Sequence, residues 1–252
     1  MSPFQSCFRS SILLTSVLGC QAFEPSSLES ERTNRSTSEV ALEPASELAP
    51  EPQAITLDGD VVVLVDGGRV EMPGWIALTE GWLEVAVCRQ GTREHEAIVA
   101  SVTLPSVVHS GLLLAGFTPG SPARYQVDGP PLPASGDPVE IDLIFEVEGR
   151  RVTLPLGDAI DDERGDVAPR WVFAGSGFRP NPPSLGPGEF YVADYAGTLV
   201  GLTTFGDEML AAVEVRSPEI GVDPAVWQIR PGVLPPVGTP VTMVFRRPDS
   251  KN

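Results

Sequence analysis

The chain is poor in cysteine, histidine and lysine, and each shortage removes chemistry. Its 252 residues hold three cysteines, Cys7, Cys20 and Cys88, and two histidines, His95 and His109. Three thiols do not suffice for a four-cysteine iron–sulfur cluster or a four-cysteine zinc site. Lys251, one residue from the end, is the only lysine, which removes a P-loop, a Schiff base and a Ser–Lys dyad. No apolar run reaches the ~20 residues that a membrane-spanning helix needs. Positive charge is scarce too: 17 basic residues face 34 acidic ones, for a net charge of −17. A field of that sign repels phosphate backbones, so nucleic acid is not expected as a partner.

What is present begins with an address. A short apolar run from Ile12 to Leu18 ends in Val17-Leu18-Gly19-Cys20, with Arg9 as the charge before it. A small residue before a cysteine after a brief apolar stretch is similar to a bacterial lipoprotein signal, cut before the cysteine, whose thiol then carries a diacylglycerol. Residues 1–19 are therefore read as a signal peptide, Cys20 as the lipidated residue, and the lipid bilayer as a partner through it. Cleavage removes Cys7 and acylation consumes Cys20, so Cys88 is left alone and no internal disulfide forms in the mature chain. Residues 20–53 are an acidic Pro/Ser linker with Pro25, Pro44, Pro50 and Pro52 and seven glutamates. It offers too little apolar surface to offset the entropy of ordering, so a disordered tether is expected.

Residues 54–252 read as one strand-rich domain. Val61–Val65 leads into the turn signal Asp66-Gly67-Gly68, and Arg69–Pro73 closes that hairpin. Trp82–Cys88 alternates, placing Leu83, Val85 and Val87 on one face and Glu84, Ala86 and Cys88 on the other. His95–Val102 is read as its hairpin partner. The one main helix is Ser106–Ala115, started by Pro105 and stopped by Gly116 and Pro119. Val139–Glu146 and Arg150–Leu156 form a hairpin across Glu148-Gly149. Phe190–Ala193, Thr198–Thr204, Met209–Val215 and Val241–Phe245 are further strands. The expected fold class is α+β, with mostly antiparallel hairpins and one main helix, because strands come in pairs rather than as βαβ units.

If Trp82–Cys88 and His95–Val102 pair through the loop Arg89–Glu94, Cys88 and His95 meet at its end, with Glu84 on the face of Cys88 and His109 brought in by the helix. Glu84, Cys88, His95, Glu96 and His109 are the candidate ligand-binding residues, and Cys88 and His95 the candidate metal ligands. Thiol, imidazole and carboxylate suit zinc or copper. They also suit a nucleophilic thiol activated by His95, or a polar ligand pocket. His95-Glu96-Ala97-Ile98-Val99 is not H-E-x-x-H, so a zincin is excluded. The competing structural reading makes Cys88 a small buried apolar residue and His109 a hydrogen-bonded core histidine. Ala174-Gly175-Ser176-Gly177-Phe178 lacks the full G-x-S-x-G of a nucleophile elbow and reads as a strand ending in a turn. Asp194, close to Gly197, reads as turn chemistry.

Several stretches together resemble the YdjY-type domain of exported planctomycete and other bacterial proteins. They are Leu83-Glu84 with Cys88, Arg93-Glu94-His95-Glu96, and Val108-His109-Ser110-Gly111-Leu112-Leu113 with Gly116, Pro119, Gly120 and Pro122. Trp171 to Phe178, Tyr191 with Ala193-Asp194, Phe205, and Pro235-Pro236 with Gly238-Thr239-Pro240-Val241 complete the set. The resemblance implies an exported bacterial domain of unassigned activity. The combined expectation is a membrane-anchored extracytoplasmic binding or accessory module for a small molecule or protein. The alternative is a metal-dependent enzyme centred on Cys88, His95 and Glu96.

Overall fold

In the computed structural model of the protein, residues 53–126, 129–165, 168–219 and 221–249 are described. The expected signal peptide, Cys20 and the linker up to residue 52 lie outside the described residues.

The first strands, β1 (Ala54–Leu57), β2 (Val61–Leu64) and β3 (Arg69–Ile76), pair antiparallel in sequence. The expected turn sits between β2 and β3, where Gly68 takes the left-handed φ of 54°. Strands β4 (Val85–Arg89) and β5 (Val99–Ser101) precede helix α1 (Pro105–Leu114). Proline at the first helical position needs no N–H partner there. At the other end Gly116 takes φ 84°. The Phe117 N–H donates to the Leu112 carbonyl and the Gly116 N–H to the Leu113 carbonyl, a Schellman stop.

A small pair, β6 (Pro119–Ser121) and β7 (Ser135–Gly136), leads to the long hairpin β8 (Pro138–Val147) and β9 (Arg150–Pro155). Its turn is Glu148-Gly149, both with positive φ, 51° and 73°, the twist that a two-residue hairpin requires. After β10 (Ile160–Asp162) and β11 (Trp171–Phe173) comes a second hairpin, β12 (Phe178–Pro180) and β13 (Glu189–Tyr191). Helix α2 (Val192–Ala196), β14 (Thr198–Gly201), β15 (Leu210–Ala212), β16 (Trp227–Ile229, paired with β10) and β17 (Pro240–Arg246) complete the chain.

Eight of these strands close into a barrel in the order β3-β17-β8-β11-β15-β14-β4-β5. The ring is shut by β5 on β3, through Trp75 opposite Ala100 and Ile76 opposite Val99. The pairs β4–β5 and β14–β15 are parallel; the others in the ring are antiparallel. This corrects the α+β expectation: the protein is mostly β, built on a closed barrel, and the α-helices among the described residues span ten and five residues. The reason lies in long-range pairing. β3 meets β17 and β5 rather than only its sequence neighbour, and closure removes unpaired edges that isolated hairpins would expose.

Core residues include Trp227, Phe173, Phe245, Met72, Leu143 and Leu199. Strand β8 alternates cleanly over part of its length, burying Val139, Ile141, Leu143 and Phe145. Asp142, also buried, accepts a hydrogen bond from Arg246 Nε at 2.9 Å, so its charge is paired. Helix α1 buries Val108 and Leu112, and its Gly111 lies against Val63 and Val70, where an added Cβ would sit 3.3 and 3.2 Å from their methyls. That close approach fixes the helix on β2–β3 and sets His109 on its flank.

Candidate functional site

The hairpin expected between Cys88 and His95 does not form. β4 and β5 run parallel, Val87 opposite Val99 and Cys88 opposite Ala100. A 3-10 turn over Glu94–Glu96 carries the chain back to the start of β4 before β5 begins. The same offset of 12 sets Glu84 beside Glu96, and the Glu84 N–H donates to the Glu96 carbonyl at 3.3 Å. Cys88 lies four residues further along, about 13 Å at 3.3 Å per residue. The pairing of β4 with β14 also shifts register around Ala86, so the simple alternation breaks. Val85, rather than Glu84, shares a buried cluster with Cys88, together with Ala97 and Ala100.

The five candidates therefore separate into three environments. Cys88 is fully buried, and burial pushes its thiol up to about 11, which leaves little thiolate near neutrality. His95 is exposed, its side chain 73% accessible, with Nε2 3.3 Å from Glu96 Oε1. Glu84 and Glu96 share a hydrogen bond between their carboxyl groups. Burial first, then that bond and the Glu96 charge, raise the Glu84 carboxyl from 4.5 to about 7, with Arg93 pulling the other way. Among the described residues no group of three or more His, Cys, Asp or Glu is placed to hold a metal ion.

His109 joins a different constellation. Its Nδ1 lies 2.9 Å from the Tyr191 hydroxyl oxygen, and its ring meets Phe173 edge-on at 4.8 Å. The Tyr191 hydroxyl donates its single proton to the Gly175 carbonyl at 3.0 Å. The network thus assigns the His109 proton to Nδ1, leaving Nε2 as an acceptor in the neutral ring. Burial holds the His109 pKa below its ordinary value, against the pull of the Asp194 charge. Burial also pushes the Tyr191 phenol upward, assisted by Asp194. Ser176 takes a left-handed φ of 50°, as a nucleophile on a sharp turn would. Its hydroxyl is already committed, donating to the Asp207 carbonyl at 2.8 Å and accepting from the Ala193 N–H at 3.1 Å. The turn reading of that stretch describes it.

Beside this network opens a concavity of about 780 Å³, lined by Arg89, Arg179, Pro180, Pro182, Phe190, Tyr191, Asp194 and Tyr195. Its volume falls in the range of small-molecule pockets. The β12–β13 hairpin supplies one wall, with Phe178 opposite Tyr191 and Arg179 opposite Phe190. Helix α2 supplies the other, carrying Asp194 and Tyr195, and Gly197 ends it at φ 79°. A Cβ at Gly197 would collide with the Thr92 side chain, so the position is glycine for two reasons. Asp194 Oδ1 accepts from the Ser106 N–H at the start of α1 at 2.8 Å, and its carbonyl accepts from Arg89 Nη1 at 3.0 Å. Tyr195 is 79% exposed, and its ring meets Phe190 at 5.6 Å.

Sequence reasoning passed over most of this wall. It took Asp194 as turn chemistry and gave Arg179 no role. One signal was available: two of the three tyrosines, Tyr191 and Tyr195, fall within five residues, directly after Phe190.

A family model described as the YdjY domain matches residues 61–246. No curated protein and no solved structure matches the chain.

Proposed function

We propose, for a chain that belongs to the YdjY domain family, an extracytoplasmic binding module held to a bacterial membrane by acylated Cys20, with its ligand seated between Arg89, Arg179, Tyr191 and Tyr195. The observation that carries the binding reading is the concavity itself: aromatic walls, two guanidinium groups and a half-buried polar network behind them. Binding is favoured over catalysis because the Ser176 and Tyr191 hydroxyls behind the concavity are committed. Ser176 and Tyr191 spend their protons on backbone carbonyls, and Cys88 is buried away from the concavity. The metal-dependent alternative at Cys88, His95 and Glu96 gains no comparable support, since the parallel pairing of β4 and β5 separates Cys88 from the other two. Export and anchoring rest on the Val17-Leu18-Gly19-Cys20 pattern, and the acidic composition argues against nucleic acid as the partner.

Fragment screening by NMR on the full chain tests the binding reading. Hits are expected to shift the amide signals of Phe190, Tyr191 and Tyr195 together. A screen whose hits leave those three signals unmoved overturns it.

A further inference from the structure

We infer that the concavity selects a carboxylate joined to a flat ring, an aryl carboxylate, with Arg179 and Arg89 on the acid and Phe190 and Tyr195 on the ring. This rests on the binding reading above and names its ligand class.

The first argument is charge placement. In a chain of net charge −17, an arginine finds acidic partners easily. Arg69, Arg93, Arg230, Arg246 and Arg247 each form a salt bridge. Arg179 forms none and its side chain has no hydrogen-bond partner among the described residues; Arg89, Arg124, Arg150 and Arg151 form no salt bridge there either, and of these five Arg89 and Arg179 line the concavity. Arg89 is held by one Nη1 bond to the Asp194 carbonyl, which orients its guanidinium while leaving other N–H groups to donate. The one acid on the wall, Asp194, is turned toward the α1 N-terminus through its bond to Ser106 N–H. The lining therefore carries two positive charges against one negative charge that is already engaged. Guanidinium forks match a carboxylate in shape, because both are planar and can bond in parallel pairs.

The second argument is the aromatic wall. Phe190 and Tyr195 pack tilted, 59° apart, and Phe178 tilts on Tyr191 at 5.3 Å. Tyr195 and Phe178 leave 79% and 68% of their surfaces uncovered. Of the rings that line the concavity, Phe190 and Tyr195 lie next to each other and offer stacking faces to a flat ring, and the prolines Pro180 and Pro182 add rigid apolar surface beside them.

Titration calorimetry on the full chain with naphthoate and its neutral isostere naphthamide tests the class. Naphthoate is expected to bind at least tenfold tighter, with the advantage shrinking as ionic strength rises. Arg179→Gln, at an exposed position where folding is not at stake, should remove about tenfold from naphthoate, equivalent to ~1.4 kcal/mol, and leave naphthamide unchanged. Tyr195→Ser should weaken both. Equal affinity for acid and amide overturns the carboxylate class while the binding reading stands. Binding of neither, with the Phe190 and Tyr195 signals also silent to every fragment, overturns both.

Discussion

The Glu84–Glu96 pair gives the domain a stability that falls as pH rises, and a single substitution should remove the effect. Side by side just before β4 and in the turn that leads to β5, the two carboxyl groups hold one proton between them when Glu84 is neutral. Glu84 has a folded pKa of about 7 against an ordinary 4.5. A carboxyl raised on folding binds more protons in the native state, so its contribution is complete below about 4.5, is lost as pH climbs to about 7, and stays lost above. At 1.36 kcal/mol per pH unit the full rise is worth ~3 kcal/mol. Glu84 keeps some contact with water, and screening cuts the expected contribution to about 1–2 kcal/mol. Glu84→Gln replaces the shared proton by an amide N–H that donates to Glu96 at every pH. Other groups tilt the wild-type curve: Glu208 is also raised by burial, and His109 and Glu94 are lowered. The difference between variant and wild type isolates Glu84. Melting curves from pH 5 to 8 should coincide near pH 5. By pH 8 they should separate, with the variant about 2–8 °C higher at 2–4 °C per kcal/mol for a domain of this size. Parallel curves across the range, or a variant that melts lower at pH 8, would refute the shared proton.

Two further outcomes are expected. Tyr191→Phe leaves the Gly175 carbonyl and the His109 Nδ1–H without their partner, and should cost about 1–3 kcal/mol in a denaturant melt; an unchanged midpoint would show that water replaces the hydroxyl at no cost. Cys20→Ser should move the protein from the membrane to the soluble fraction after a high-salt wash, because an acidic chain has no electrostatic hold on an anionic leaflet; continued sedimentation with membranes would end the lipid-anchor reading.

Local chemistry was legible where the signal was local. Pro105 and Gly116 bracket α1 within one residue of the expected ends, and Glu148-Gly149 marks the β8–β9 turn. The barrel was not legible, because its closure depends on β3 pairing with β17 and with β5, and no turn residue encodes a contact between distant strands. The connection between β4 and β5 shows the competition directly. The segment Arg89–Glu94, with Gly91 inside it, looks like a hairpin loop. The chain instead spends Glu94–Glu96 on a 3-10 turn and returns to run parallel.

That one connection decides the fate of the candidate site. In an antiparallel hairpin the loop ends would bring Cys88 and His95 together. With β4 and β5 parallel, the Glu84 N–H meets the Glu96 carbonyl at the opposite end of β4, so two carboxyl groups come together there and Cys88 and His95 stay apart. His109, a candidate ligand-binding residue whose competing reading was a hydrogen-bonded core histidine, is half-buried and bonded to Tyr191. The partner comes from 82 residues away, on a hairpin whose only distant signature was the tyrosine clustering. The wall of the concavity joins β4 through Arg89, β12 through Arg179 and α2 through Asp194 and Tyr195. The long-range pairing of β4 with β14 assembles it, since Arg89 stands at the end of β4, next to β14, whose start follows Gly197 at the end of α2. A concavity made by pairing of distant strands becomes readable only when the strand order is known, which is why the strand pattern alone pointed to Cys88 and His95 and not to this wall.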